Sequence, residues 1–345
     1  MDTLTHALSG ALLARATAPK DAPPRSIPRR VAAGFFACAA PDLDFVIGFV
    51  GPVEYLLHHR GVTHSILLLP LWAVPLAWVL AKILREPGGW RALYGVSAMG
   101  IGLHIAGDWI TSFGTMMLAP FSDWRAGIGT TFIIDLWFSG IIVAGLLLSV
   151  FYRRTRIPSL AAALALVGYV SFQAVQKHQA LEFGAEYARS RGIAGAAVAA
   201  QPRPVSPFNW SVFVSDAGAH HVAHVNLRRD RPRSYRPGDG FVARLDSAYQ
   251  PLAAARWEVY PRYGEGREIE ALARSAWESP ALGFFRWFAA QPALEGVTSE
   301  PDCAWFADLR FGTPGRDVMP FRFGACREAP GAPWRAYERD GGAPL

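Results

Sequence analysis

The chain has 345 residues, 51% of them hydrophobic and only 18% charged, and a mean hydropathy of +0.16. Soluble domains carry about 25% charged residues, so disorder is excluded, and glycine and proline spread without a period exclude collagen-like structure. In so apolar a chain a net charge of +6 reads first as a membrane-orientation signal, ahead of nucleic-acid affinity.

Residues 3–18 form a short apolar segment that carries Arg15 and, as a helix, reaches only about 24 Å. A crossing takes roughly 20 residues. The next apolar stretch, 31–50, is broken by Pro41, Asp42 and Asp44. Segments 61–84, 92–117, 131–152 and 158–177 are long enough, or nearly so. An α-helical membrane bundle of about six helices over 1–177 is therefore expected. Its connections alternate in charge. Lys20, Arg25, Arg29 and Arg30 mark one side, as do Lys82, Arg85 and Arg91 and then Arg153, Arg154 and Arg156; 51–60 holds only Arg60, and 118–130 only Arg125. Positive loops stay in the cytoplasm, so the N-terminus and everything after 177 are expected outside.

Residues 178–345 return to ordinary composition and read as a small α+β extracytoplasmic domain. The stretch 178–191 is expected to continue the last membrane helix. Ser211–Ser215 and Ala304–Phe311 alternate like strands. Glu268–Gln291 reads as one or two helices anchored by Trp277, Phe284, Phe285, Trp287 and Phe288. Cys38 reads as a packing residue. Cys303 and Cys326 fall in strands on the oxidising side, where a disulfide can form, and the sequence leaves their pairing open.

Ionisable groups inside a bilayer are costly unless paired, hydrated or metal-bound. This chain places His6, Asp42, Asp44, His64, His104, Asp108 and Asp135 in its apolar half, with His58, His59 and Arg60 just before His64. Asp44, fourteen residues past Arg30, lies roughly 21 Å from the inner surface, and His104 and Asp108 lie roughly 20 and 26 Å past Arg91. His6, His64 and Asp135 sit near the outer ends of their segments. Each alone has an ordinary reading as a packed, paired or interfacial residue. A shared depth in the outer third points instead to one site. His104 and Asp108 are four apart on one helix face. Asp42-x-Asp44 follows Pro41, and His59 and His64 flank a loop-to-helix junction. Imidazole with carboxylate suits zinc, manganese or iron, and the number of ligands admits one or two ions. His178 and His220-His221-x-x-His224 lie in the outer domain, where strand alternation points the latter three to mixed faces.

Asp2-Thr3-Leu4-Thr5-His6, Pro41-Asp42-x-Asp44, His59-Arg60-Gly61-x-Thr63-His64-Ser65, His104-x-x-x-Asp108-x-x-Thr111-Ser112-x-Gly114-Thr115 and Pro120-Phe121-Ser122 resemble the YdjM family, membrane-bound proteins described as metal-dependent hydrolases. The longer architecture resembles its YfhP-like branch. The resemblance covers roughly 1–177 and implies the bacterial inner membrane. It also implies that His6, Asp42, Asp44, His59, His64, His104 and Asp108 form the polar site, with Asp135 of Phe132-Ile133-Ile134-Asp135 at a family position. The chemistry that follows is hydrolysis with one or two divalent ions, zinc or manganese, activating water. Asp44 or Asp108 would accept its proton, and Arg60 would steady charge on the electrophile. Thr111, Ser112 and Thr115 would bind substrate oxygens. A site near the outer leaflet suits an ester or phosphoester of a lipid-like substrate. Two other classes compete: a divalent-cation transporter, which would need polar residues through both membrane halves, and a non-catalytic scaffold with a closed metal shell.

Overall fold

A computed structural model describes every residue except 24, 317–318 and 340–344. The first helix, α1 (Thr3–Ala16), starts at an Asp2 cap whose carboxylate accepts from the Thr5 amide at 3.0 Å and the Thr5 hydroxyl at 2.6 Å. Such a cap satisfies one of the helix's orphan N–H groups. Next comes α2 (Ser26–Ala39), which tightens at its end into a 3-10 helix, Ala40–Phe49. Pro41 offers no N–H to the turn, so the backbone there departs from the α-helix, carrying Asp42 and Asp44 with it. The short α3 (Pro52–His58) precedes a 3-10 turn at Val62–His64, then α4 (Leu69–Ile83), α5 (Gly89–Trp109), α6 (Leu136–Phe151) and α7 (Ile157–Arg191).

Several expected spans shift. The 61–84 segment is helical only from Leu69, because His64 belongs to a turn; 92–117 stops as a helix at Trp109; and 131–152 starts at Leu136, after the Asp135 cap. The last helix runs unbroken to Arg191. Among the described residues, two helical stretches are long and apolar enough to cross a membrane, Ser26–Phe49 and Ile157–Arg191; Pro52–His64 with Leu69–Ile83, bent by 83°, makes a third if the pair is one broken span.

Small residues bring these helices together. Ala14, Ala33, Ala37 and Ala77 form one fully buried cluster with Val96. A Cβ on Gly10 of α1 would fall 2.1 Å from the Gly34 carbonyl of α2, and one on Gly100 of α5 would fall 2.8 Å from Ala37 Cβ. Glycine is therefore required where α1, α2 and α5 cross, and close backbones of this kind are how helices associate in lipid.

The chain divides into two compact units, Met1–Ile47 with His58–Val175, and Gly48–Leu57 with Gln176–Leu345. The second is rich in β-sheet. In one sheet β1 (Ala197–Pro202), β2 (Asn209–Ser215) and β3 (Ala219–Asn226) are antiparallel neighbours. The far edge of β3 pairs with β4 (Gln250–Pro251) at one end and β5 (Trp257–Pro261) at the other. The other sheet is an antiparallel meander of β6 (Pro292–Ser299), β7 (Asp302–Asp308), β8 (Arg322–Arg327) and β9 (Arg335–Glu338). Three helices accompany them: α8 (Phe241–Ser247), α9 (Arg267–Glu278) and α10 (Gly283–Phe288). Phe285, Phe306 and Phe323 are fully buried with Trp277 beside them. Cys303 and Cys326 oppose each other on β7 and β8 and form a disulfide.

Candidate metal centre

Four donor atoms converge in the first unit. Asp42, His64, His104 and Asp108 each offer one, all within 4.8 Å of one another, and all four residues are buried. Asp42 comes from the 3-10 helix after Pro41, His64 from the turn before α4, and His104 and Asp108 from one face of α5. The Nε2 atoms of His64 and His104 lie 2.9 Å apart. Asp108 Oδ2 stands 3.2 Å from the first and 3.5 Å from the second; Asp42 Oδ1 stands 4.0 and 3.5 Å from them. A tetrahedral ion about 2.0 Å from each ligand would set neighbouring donors about 3.3 Å apart. The observed separations bracket that value.

The surrounding bonds fix which atoms face inward. His104 Nδ1–H donates to the Cys38 carbonyl at 2.6 Å. His64 Nδ1 lies 2.9 Å from Thr63 Oγ1, whose own hydroxyl donates to Asp44 Oδ2 at 2.7 Å. With both Nδ1 atoms serving as donors, neutral rings would present two Nε2 lone pairs to each other at 2.9 Å. Such a pair is stabilised either by a proton shared between the nitrogens or by a metal ion bound to both. Asp42 Oδ2 accepts from Thr3 Oγ1 at 2.7 Å, leaving Oδ1 for the cluster. Asp108 Oδ1 takes His6 Nε2 at 3.0 Å, Arg60 Nη2 at 2.9 Å and the Met1 amine. Its Oδ2 is buried without a hydrogen bond. The orphaned carboxylate oxygen and the two facing imidazole nitrogens make a donor set that fits a divalent cation.

Asp44 stands behind this set. Its Oδ1 accepts from His59 Nδ1 at 2.6 Å and its Oδ2 from the Arg60 amide at 3.1 Å and from Thr63. The sequence puts Asp44 among the ligands and proton acceptors; in the structure its oxygens are taken up in holding His59, Arg60 and the Thr63–His64 pair. Arg60 has φ 61°, left-handed for a residue with a side chain. Such a conformation costs about 1–2 kcal/mol and persists only where the surroundings over-determine it. Here the Arg60 amide is held by Asp44, its carbonyl accepts from the Met116 amide at 2.9 Å, and its guanidinium reaches Asp108 and Thr111 Oγ1.

The chain resembles known proteins over this same region. The profile of the YdjM inner membrane protein family matches residues 1–180. The chain belongs to that family. YfhP of Bacillus subtilis strain 168, an uncharacterized protein, is 30% identical over 156 residues, which are 41% of this chain and 47% of YfhP. The chain thus spans about half the length of the curated relative that it matches. No solved structure matches it.

Set against the YdjM-family motifs, the structure brings His6, Asp42, Asp44, His59, Arg60, His64, His104 and Asp108 together and leaves others aside. Asp135 lies apart from the metal-capable donors. Its carboxylate caps α6 by accepting from the Trp137 and Phe138 amides, each at 2.9 Å, and from Tyr169 Oη at 2.9 Å. A carboxylate ahead of a helix is drawn to the orphan amides there. His58 ends α3, exposed. Thr111 donates to the Asp108 carbonyl at 2.8 Å and so positions Arg60 and α5. Thr115 Oγ1 is buried without a partner, and Ser112 is half-buried in the turn after α5. A second group, His6, Cys38 and His104, also gathers. It shares His104, whose Nδ1 is already committed to Cys38's carbonyl, so the two groups compete for one imidazole. Thr3 and Thr63 are supporting residues that charge-based reading missed, although both lie inside the quoted motifs.

Proposed function

We propose that this YdjM-family protein is a membrane-embedded metal-dependent hydrolase, with one divalent ion, zinc or manganese, held by Asp42, His64, His104 and Asp108. The observation that carries the reading is the pair of facing Nε2 atoms beside an orphaned carboxylate oxygen. Such an ion, when bound, supplies Lewis acidity and makes water a nucleophile near neutral pH. Arg60, fixed by Asp108 and Thr111, offers its guanidinium to an oxyanion, for which its fork of donors is suited. Asp44 orients the His59 ring by accepting from its Nδ1 at 2.6 Å, the carboxylate–imidazole pairing that suits an acid–base group. His59 therefore replaces Asp44 and Asp108 as the proposed acid–base group. Leu4, Leu43 and Phe45 are exposed beside Thr3, Asp42 and Asp44. Apolar groups next to buried carboxylates favour an amphiphilic, lipid-like ester or phosphoester. The alternating basic loops support six crossings, with the second unit extracytoplasmic.

A four-cornered donor set also favours a second reading, a closed structural ion that braces the helices around a non-catalytic scaffold. Metal analysis of full-length protein in detergent, followed by hydrolysis assays on lipid phosphoesters, tests both. One ion per chain with metal-dependent turnover is expected. One ion without turnover on any ester favours the scaffold. Full metal retained in both His64→Ala and His104→Ala ends the assignment.

A further inference from the structure

We propose that the second unit carries an oxyanion site of its own, a cavity of about 640 Å³ built to take a phosphate group. Arg262 and Arg286 line it, with Trp277, Ser215, Asp216 and His220, and the rest of its wall is alanine, glycine and proline.

The two arginines contrast with several others of their unit. Arg229, Arg310, Arg322 and Arg327 each pair with a carboxylate. Arg262, which follows β5, makes no side-chain hydrogen bond or ion pair among the described residues, and its Nε is buried without a partner. Its backbone is pinned, the amide donating to Gly218 O at 2.8 Å and the carbonyl accepting from Leu294 N at 3.1 Å. The guanidinium is therefore held in the cavity by the fold rather than by a counter-charge, resting against Tyr263 at 5.6 Å and Trp277 at 6.0 Å. Arg286 donates through Nη1 to the carbonyls of Trp277 and Ser279. Those bonds orient it without neutralising it, and it too has no ion pair among the described residues.

The remaining polar groups are largely engaged. Asp216 adds one negative charge to the wall, its Oδ1 accepting from the Gly218 and Ala219 amides at 2.7 and 2.8 Å, so the cavity keeps a net positive charge from its two arginines. His220 reaches Ser215 Oγ through Nδ1 at 2.7 Å and the Pro292 carbonyl through Nε2 at 2.9 Å. A half-buried guanidinium without a counter-ion is unfavourable. Two of them at one cavity, against a single carboxylate, leave a net positive charge beside an indole and call for an anion. Guanidinium forks match phosphate oxygens in pairs, and two forks offer more donors than the two oxygens of a carboxylate can take up. The volume leaves room for the organic part of a phosphate ester.

The test is equilibrium dialysis of the full chain in detergent against radiolabelled inorganic phosphate and, separately, a short-chain phosphatidic acid below its micellar concentration. The proteins compared are wild type, Arg262→Gln and the exposed-surface control Arg274→Gln. Binding of inorganic phosphate that weakens about tenfold or more in Arg262→Gln alone supports the site and identifies free phosphate as sufficient. Binding of the phosphatidic acid only, with the same loss, supports it and identifies a lipid headgroup. Arg262→Lys, which keeps the charge and loses the fork, should retain part of the affinity and covers the case in which the glutamine variant fails to fold. No saturable binding of either probe, or equal binding in the Arg262 variants, overturns the proposal. None of these outcomes depends on the metal centre.

Discussion

Two histidine-bearing regions of this chain use the imidazole in opposite ways. In the first unit His64 and His104 arrive from a turn and a helix, commit Nδ1 to the protein, and turn Nε2 toward each other and two carboxylates. In the second, His220, His221 and His224 lie along β3, and each is satisfied through Nδ1 by a hydroxyl, from Ser215, Tyr187 and Ser211. A strand sends neighbours to opposite faces and spaces residues four apart by about 13 Å, so these three rings cannot meet on one ion. Segments that cross can converge, and one extended strand cannot. Proximity in sequence is therefore a poor guide to a metal site, and the fold decides.

The largest effect should come from breaking the convergent set. His64→Ala or His104→Ala should weaken metal binding by more than about 100-fold, since each removes a ligand rather than its support. Alanine at His220, His221 and His224 together should leave metal content unchanged. Metal analysis of both sets after gel filtration decides the matter; loss of metal in the triple variant would reverse the comparison. Asp44→Asn is the next step down. It removes the charge that organises Thr63, His64 and His59 while leaving every proposed ligand in place, so a loss of about 10–100-fold in metal affinity is expected, read by competition with a chelating dye. An effect as large as that of His104→Ala would return Asp44 to the ligand set.

Much of this site was legible in the sequence, for a physical reason. An ionisable residue in an apolar stretch has few tolerable fates, so His6, Asp42, His64, His104 and Asp108 stand out from charge and hydropathy alone. What composition cannot convey is direction. Asp44 and Asp42 are two residues apart and equally conspicuous, yet the 3-10 turn aims one at the donors and the other at Thr63 and His59. Asp135 shares the expected depth, but the orphan amides of α6 claim its carboxylate. Thr3 and the Cys38 carbonyl carry no charge signal, so their part in orienting Asp42 and His104 emerges only from coordinates. In the fold, the helix ends were the weak point. Segment 61–84 is apolar throughout, and nothing in its hydropathy says that His64 must sit in a turn.

A smaller effect distinguishes the strand histidines by pH. Burial, aided by the nearby Arg203, pushes the His224 imidazole from its ordinary 6.5 down to about 3. It stays neutral in the folded protein while the unfolded chain takes up a proton below about pH 6.5. Stability from this group is therefore complete above that pH and is lost on acidification toward pH 3. Between pH 4 and 6, His224→Gln should flatten the pH dependence of unfolding by up to one proton, or about 1.4 kcal/mol per pH unit. Denaturant titrations across that range measure it, and an unchanged slope would show that His224 titrates normally.

The smallest effect belongs to Asp135, and it bears on whether shared depth is enough to make a ligand. If its role is to cap α6, what counts is a side-chain oxygen near the Trp137 and Phe138 amides. Asparagine supplies that oxygen about as well as aspartate, and alanine does not. Asp135→Ala should therefore cost about 1 kcal/mol of stability, and Asp135→Asn should cost little beyond the weakened bond from Tyr169. Both variants should bind metal as tightly as wild type. A ligand predicts a different ranking, because asparagine is a far poorer donor to a divalent ion than a carboxylate, so both substitutions would lower metal affinity. The asparagine variant is thus the discriminating one: full metal content with near-normal stability marks a cap, and lost metal with near-normal stability marks a ligand that coordination would have to draw away from α6.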